Sequence, residues 1–146
     1  MAVLVSACLL GINCKYNGEN NVCKKVFDIS GVIPVCPEQL GGLATPRLPS
    51  EILHGDGHDV LNGSARVFNT AGEDVTNNFI RGAQLTLMIA RLTGAEKAVL
   101  KARSPSCGSG VIYDGTFSGK TCPGDGTAAA ILKQNGIDVL SEEDLT

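Results

Sequence analysis

The amino-acid sequence predicts an α/β fold with a mostly parallel sheet, helices on both of its faces and a small β-hairpin insertion. Short apolar, β-branched runs alternate with helical patterns along the chain, which is the order that builds parallel sheets. The runs are apolar at consecutive positions, as expected of strands buried on both faces. The chain has 146 residues, a common size for one domain. We therefore expect residues 1–146 to form a single Rossmann-like domain.

Four apolar runs predict the strands of the main sheet. The first run ends directly before Cys8, and the second ends directly before Cys36. The second run contains Pro34, which has no N–H to donate to a neighbouring strand, so we expect this strand at an edge of the sheet. The predicted strands are residues 2–7, 32–35, 97–102 and 137–140.

Helical patterns lie between these strands. The longest covers residues 76–93 and ends at Gly94, and a second covers residues 127–134. A shorter helix is predicted within residues 20–29. These three helices supply the layers that a parallel sheet needs on its faces.

The remaining segments predict turns and short strands. Residues 65–69 indicate a short strand, and the Asp114-Gly115 pair indicates a hairpin within residues 111–117. Residues 39–64 are rich in Gly, Pro and polar side chains and form an unusually long connection. Because long connections inside compact domains are often functional, we expect a functional loop there.

Composition and charge exclude several classes of protein. The net charge of -3 argues against extended nucleic-acid binding, which needs an excess of clustered Lys and Arg. No apolar run approaches the roughly 20 residues of a membrane-spanning helix. No basic residue precedes the first apolar run, so we expect no signal peptide and a cytoplasmic, soluble protein. In that reducing compartment the six cysteines are expected to be thiols, metal ligands or catalysts.

Three cysteines, Cys8, Cys36 and Cys107, follow the first three predicted strands of the sheet. Because the carboxyl ends of parallel strands meet at one edge, we expect these thiols to lie together. Three polar residues are expected beside them: Glu38, Ser104 and Ser106. The alternative is that the cysteines are small buried core residues, which three coincident strand ends make less favourable.

Such thiols could ligate a soft metal, form a redox pair or supply one nucleophile. A structural zinc site normally shows Cys-x-x-Cys spacing and four ligands, and neither is evident here. Iron-sulfur clusters can be held by cysteines from distant loops, and three ligands leave one iron open for Lewis-acid chemistry. The other cysteines, Cys14, Cys23 and Cys122, are interpreted as ordinary thiols, with Cys14 the best spare ligand because its loop begins at Cys8.

Several other residues have both a functional and a structural interpretation. Glu38 lies two positions after Cys36 and is either a base near the metal or a loop carboxylate paired with Arg47. Arg47 either binds a substrate carbonyl or anion, or forms a salt bridge to Glu51. Ser106 either contacts substrate or cluster, or is a turn residue. His54 and His58 are not expected to bind metal, because two glycines between them oppose a helix.

Five short motifs occur along the chain in a fixed order. They are Ser6-Ala7-Cys8-Leu9-Leu10-Gly11, Pro34-Val35-Cys36-Pro37-Glu38, Gly41-Gly42-Leu43, Thr45-Pro46-Arg47 and Ser104-Pro105-Ser106-Cys107-Gly108. In this order, and over nearly the whole chain, they resemble the motifs of a bacterial uncharacterised-domain family that includes the iron-sulfur thiouracil desulfidases.

The resemblance implies a 4Fe-4S cluster ligated by Cys8, Cys36 and Cys107, with Glu38 as the catalytic carboxylate and Ser104 as a supporting hydroxyl. It further implies a non-redox desulfidase that removes sulfur as sulfide from a thiolated pyrimidine or a similar thiocarbonyl compound. The chain departs from the family pattern at residues 15–18, where Lys and Asn stand in place of Arg and Asp.

Two other functions fit the same cysteines. One is a non-catalytic iron-sulfur or thiol module that senses redox conditions through oxidation or loss of its cluster. The other is a metal-free thiol enzyme, which requires a cysteine of low pKa. A placed base at Glu38 and an open iron favour the enzyme over the sensor, because a sensor needs neither.

Overall fold

A four-stranded parallel sheet is the centre of the structure, a computed structural model that describes residues 1–146. In chain order the strands are β1 (Val3–Ser6), β2 (Val32–Val35), β3 (Ser50–Leu53), β4 (Arg66–Asn69), β5 (Lys97–Leu100), β6 (Val111–Tyr113), β7 (Thr121–Pro123) and β8 (Asp138–Ser141). The α-helices are α1 (Pro37–Leu40), α2 (Gly57–Asn62), α3 (Thr76–Thr93) and α4 (Thr127–Gln134). Three 3₁₀ helices cover Ala7–Leu10, Lys24–Asp28 and Glu142–Asp144.

The central sheet has the order β2-β1-β5-β8, and every pair of neighbouring strands in it is parallel. The predicted α/β fold with a parallel sheet is therefore confirmed. β2 lies at an edge as predicted, with Pro34 opposite Val5 of β1, and an edge strand tolerates the missing N–H. Since the strands are parallel, β1, β2 and β5 end at the same edge of the sheet.

α3 and α4 cover one face of this sheet. Leu4 and Leu100 from the sheet lie in one buried cluster with Leu87 of α3 and Leu132 of α4. Burial of each such side chain stabilises the fold by about 1.5–3 kcal/mol. This cluster packs the two helices against the sheet and so fixes the positions of the strand ends.

The other face is covered by the 3₁₀ helix Lys24–Asp28, which is shorter than the helix predicted within residues 20–29. Val26 is its one buried residue and packs with the valines of the sheet. A longer helix would bury little more, and short isolated helices are marginal in water. The Asn20 side chain also accepts a hydrogen bond from the N–H of Val22 at 3.1 Å, a turn that competes with helix formation.

Two antiparallel pairs, β3-β4 and β6-β7, lie outside the central sheet. β6-β7 confirms the predicted hairpin insertion, but residues 114–120 separate its strands, so a two-residue Asp114-Gly115 turn is wrong. The segment predicted as a long loop, residues 39–64, contains β3 and α2. β3 has no clear strand pattern because it opens with the polar pair Ser50 and Glu51, both of which are buried.

The end of α1 and helix α3 approach so closely that a glycine is needed at Gly41, directly after α1, and at Gly82 within α3. A Cβ at Gly82 of α3 would lie 2.0 Å from the carbonyl oxygen of Pro37, and a Cβ at Gly41 would lie 2.0 Å from the carbonyl oxygen of Asn78. Backbone atoms cannot yield to such contacts as a flexible side chain can. The contact therefore fixes the segment that begins at Cys36.

We expect Gly82→Ala to destabilise the protein although alanine is the better helix former. In an open helix the change would stabilise by about 1 kcal/mol, whereas an overpacked contact costs about 1–3 kcal/mol. The denaturant concentration at the unfolding midpoint measures the outcome. Gln84→Ala, at an exposed position of the same helix, is the control and should leave the midpoint unchanged or slightly higher. An equal or higher midpoint for Gly82→Ala would contradict the close contact.

Candidate active site

A cavity of about 480 Å³ lies at the edge of the sheet where β1, β2 and β5 end. Ser6, Val35 and Lys101, from these strand ends, line it. The seven residues that the sequence nominated for the site also line it: Cys8, Cys36, Glu38, Arg47, Ser104, Ser106 and Cys107. The structure thus brings these residues to one place, while their individual roles stay predictions.

Each of the three cysteines lies where the chain turns away from its strand. Cys8 is in the 3₁₀ helix directly after β1, and Cys36 is the capping residue between β2 and α1. Cys107 lies in the turn after β5, which closes with a hydrogen bond from the N–H of Gly108 to the carbonyl oxygen of Ser104 at 2.9 Å. The sharp turns place the thiols beside the strand ends.

Cys14 is a fourth thiol in the same cavity. It is buried, its thiol is close enough to those of Cys8 and Cys36 to shift their pKa values, and its carbonyl oxygen lies 3.9 Å from Cys36 Sγ. Cys14 therefore lies in the site itself, whereas the sequence interpretation treated it as an ordinary thiol and named it only as a spare ligand. Its position in the loop that begins at Cys8 was the one signal available.

Hydrogen bonds within this group distribute the protons. Hydrogen bonding with the Cys14 thiol, whose single proton can be donated to either neighbour, lowers the pKa of Cys8 to about 7 and the pKa of Cys36 to about 6, against the opposing effect of burial. The same hydrogen bonds raise the pKa of Cys14. Burial raises the pKa of Cys107 to about 12. Cys8 and Cys36 thus have substantial thiolate character near neutral pH, and thiolate is the form that binds metal.

Glu38 is held by two side chains from different parts of the chain. Its Oε1 accepts a hydrogen bond from Arg47 Nε at 3.1 Å, and its Oε2 accepts one from Ser106 Oγ at 2.9 Å. Ser104 Oγ lies 3.0 Å from Ser106 Oγ and accepts hydrogen bonds from the N–H groups of Ser106 and Cys107. The hydroxyl that contacts Glu38 is therefore that of Ser106, while Ser104 supports the turn and the second hydroxyl.

Most of the N–H groups of the Arg47 side chain donate hydrogen bonds to other protein groups. Its side chain is 9% exposed, and besides Glu38 it donates to two acceptors in the 44–45 turn and to the carbonyl oxygen of Cys14. Four of its five N–H groups are thus engaged. The salt bridge to Glu51 considered from the sequence is wrong, because the carboxylate paired with Arg47 is Glu38. Arg47 therefore positions Glu38 and has one N–H left for a substrate.

Other cavity residues were not nominated from the sequence. Glu51 is a buried carboxylate in the wall, and Tyr16, Tyr113 and Phe117 add aromatic surface. Aromatic residues beside a few polar groups are typical of pockets for small planar ligands. Glu51 follows the Thr45-Pro46-Arg47 motif by a few positions, but nothing in its local pattern marks it as buried.

The remaining nominated residues lie outside the cavity. Cys23 packs under the central sheet, and Cys122 lies in β7 against the second core cluster. His54 is exposed, whereas His58 Nε2 lies 2.9 Å from Asp125 Oδ2. His58 groups with Asp56 and Asp125, whose ligand atoms lie within 4.8 Å of one another, and His54 is not part of that group. That the histidines bind no metal stays a prediction.

The residues of the cavity fit an iron-sulfur cluster. Thiolates are the usual ligands of such clusters, and Cys8, Cys36 and Cys107 come from three separate turns, as cluster ligands often do. Ser106 Oγ lies 3.6 Å from Cys107 Sγ as well as 2.9 Å from Glu38 Oε2, so its one hydrogen can be donated to either, and hydrogen bonds to sulfur tune a cluster. A cavity of about 480 Å³ also leaves room for a small organic ligand.

Comparison with known proteins adds evidence on the family. A family model described as 2-thiouracil desulfurase matches residues 3–144. A Bacillus subtilis (strain 168) protein, YbbK, described as uncharacterised, is 50% identical over 146 residues, which covers 98% of this chain and 97% of that protein.

A solved structure also matches this chain closely. It is the 4Fe-4S-dependent thiouracil desulfidase TudS (DUF523Vcz), with a TM-score of 0.86 and 38% identity. The match covers 99% of this chain and 92% of that chain. In addition, none of the helices of this protein has the length and apolar character to span a membrane.

Proposed function

The chain belongs to the 2-thiouracil desulfurase family, and on that premise we propose that it is a 4Fe-4S-dependent, non-redox desulfidase. Its proposed substrate is a thiolated pyrimidine or a similar small thiocarbonyl compound. The observation that carries the proposal is that Cys8, Cys36 and Cys107 line one cavity together with Glu38. A sensor of cluster oxidation needs no carboxylate held at that place.

Cys8, Cys36 and Cys107 are the proposed ligands of the cluster. When bound, the cluster supplies a Lewis acid, since three thiolate ligands leave one iron open to the sulfur atom of a thiocarbonyl group. The lowered pKa values of Cys8 and Cys36 favour ligation near neutral pH, and Cys107 gives up its proton on binding metal.

Glu38 is the proposed general base. It takes a proton from the water that attacks the thiocarbonyl carbon, whose bond to sulfur is replaced by a bond to oxygen. The sulfur leaves as sulfide with the protons of that water, so no oxidant or reductant is consumed. Arg47 and Ser106 fix the two oxygen atoms of Glu38, which limits the reorientation needed during the reaction.

We place the whole of residues 1–146 in one domain that works in the cytoplasm. The family model spans residues 3–144, and the cavity draws on residues from Ser6 to Gly119. Six free cysteines are compatible with a reducing compartment.

Anaerobic reconstitution with iron and sulfide, followed by assay of sulfide release from 2-thiouracil, tests this function. We expect about four bound iron atoms per chain, broad visible absorption typical of a cluster and sulfide formed in step with uracil. Protein carried through the procedure without iron is the control and should release none. Reconstituted protein that forms no sulfide from any thiolated pyrimidine would argue for the sensor, and tightly bound zinc on four thiols would argue against both.

A further inference from the structure

Glu51 is a buried carboxylate in the cavity wall to which the proposed mechanism assigns nothing. The residue is 9% exposed. Its Oε1 accepts hydrogen bonds from the N–H groups of Gly115 at 2.9 Å and Phe117 at 3.2 Å. Its Oε2 has no hydrogen bond and no cation within salt-bridge distance in the structure. A carboxylate oxygen that no protein group pairs must accept hydrogen bonds from water or from a bound molecule.

The free oxygen of Glu51 is accessible from the cavity. Thr127 Oγ1 is the one side-chain polar atom that is both closed off from solvent and without a hydrogen-bond partner. Glu51 Oε2 also has no partner but is not such an atom, so it keeps some solvent-accessible surface. We infer that this surface faces the cavity, because Glu51 lines the cavity and the residue is otherwise buried. A donor bound in the cavity can therefore reach Oε2.

The two hydrogen bonds to Oε1 also hold the carboxylate and the hairpin loop in one arrangement. Gly115 has φ 91°, and a Cβ there would lie 2.6 Å from the carbonyl oxygen of Ile52, so the loop is packed tightly on β3. Phe117 has φ 54°, a left-handed conformation that is uncommon for an aromatic residue, and it borders the cavity. Glu51 is thus fixed in orientation, as a group that recognises a ligand must be.

We propose that Glu51 binds substrate, with Oε2 accepting a hydrogen bond from a ring N–H next to the thiocarbonyl group. The inference rests on the proposed desulfidase function and narrows its substrate class to cyclic thioamides and thioureas that retain a free N–H. A hydrogen bond to a charged acceptor contributes enough to discriminate by about 10- to 100-fold against a compound that lacks the donor.

The test compares 2-thiouracil with its N1-methyl, N3-methyl and N1,N3-dimethyl derivatives, for reconstituted wild type, Glu51→Gln and the exposed control Glu96→Gln. Glutamine keeps an oxygen for the N–H groups of Gly115 and Phe117, but it replaces the free acceptor by an NH₂ donor. For wild type, kcat/KM should fall about 10- to 100-fold when the critical N–H is methylated, mainly through KM. Glu51→Gln should lose a similar factor with 2-thiouracil and lose little more on methylation.

Wild type that accepts all the methylated compounds as readily as 2-thiouracil would overturn the inference, whether or not Glu51→Gln folds. An equal penalty for methylation in wild type and Glu51→Gln would also overturn it. Calorimetric titration of the reconstituted proteins with uracil separates the inference from the proposed function, because uracil carries the ring N–H groups and cannot be desulfurised. Glu51-dependent binding of uracil without sulfide release from 2-thiouracil would support the site and reject the reaction, whereas uracil binding equal in Glu51→Gln would reject the site.

Discussion

Reconstituted Cys36→Ala is expected to contain little iron and to release no detectable sulfide from 2-thiouracil. Cys36 is the thiol with the most strongly lowered pKa in the cavity, so it is the readiest of the proposed ligands to bind metal. Loss of one of the three protein ligands leaves a cluster that is held at only two positions. Ligand exchange with solvent and attack by oxygen then remove the cluster. Because Cys36 is only partly buried, alanine should cost little folding stability.

Bound iron, visible absorption and thermal unfolding measure this outcome for Cys36→Ala. Cys23→Ala and Cys122→Ala are matched controls, since both thiols lie outside the cavity. Both controls should keep wild-type iron content. A full cluster in Cys36→Ala would contradict the ligand set, and a cluster lost in Cys14→Ala but retained in Cys107→Ala would assign the third ligand to Cys14 instead.

Elements with long, regular hydrophobic patterns could be predicted from the sequence. α3 and α4 have the predicted bounds, because each combines an apolar stripe with a glycine shortly after its end. The strands of the central sheet lie within two residues of their predicted bounds, because strands buried on both faces leave continuous apolar runs. Each of these patterns is set by local chain geometry and burial alone.

β3 and α2 could not be predicted because distant partners stabilise them. Glu51 of β3 is a buried polar residue, and the N–H groups that donate to it, those of Gly115 and Phe117, lie far along the chain. α2 is capped by Asp56, whose side chain accepts hydrogen bonds from the first turn of the helix and also from the N–H of Asp125. These hydrogen bonds between distant residues form only in the folded chain, so the local sequence gives no sign of them.

The meeting of the cysteines could be predicted, whereas the Glu38–Arg47 pair could be named only as one of two alternatives. Parallel strands place their ends at one edge whatever the side chains are, so Cys8 and Cys36 were expected together. Arg47 pairs with Glu38 and not with Glu51. Which carboxylate it reaches depends on how the segment that carries Arg47 packs in the folded protein. Tertiary packing of that kind leaves no periodic signal in the sequence.

Glu38→Gln is expected to keep the cluster and to lose almost all desulfidase activity. The amide is nearly the same size and can still accept a hydrogen bond from Arg47, but it cannot take a proton from water. Removal of a general base typically lowers a rate about 10²- to 10⁴-fold. Since Glu38 is not a proposed ligand, iron content and visible absorption should match wild type. Sulfide release under saturating 2-thiouracil, measured beside bound iron, tests the expectation.

Iron content and turnover, measured separately, distinguish a catalytic base from a carboxylate with a structural role. A structural role would show as lowered thermal stability or iron content in Glu38→Gln, with activity per bound cluster unchanged. A base would show as full iron content with a reduced kcat, and Glu96→Gln, exposed and outside the cavity, should match wild type in both. Activity per cluster within a few-fold of wild type would remove Glu38 from the mechanism and leave the attacking water to be activated by another group.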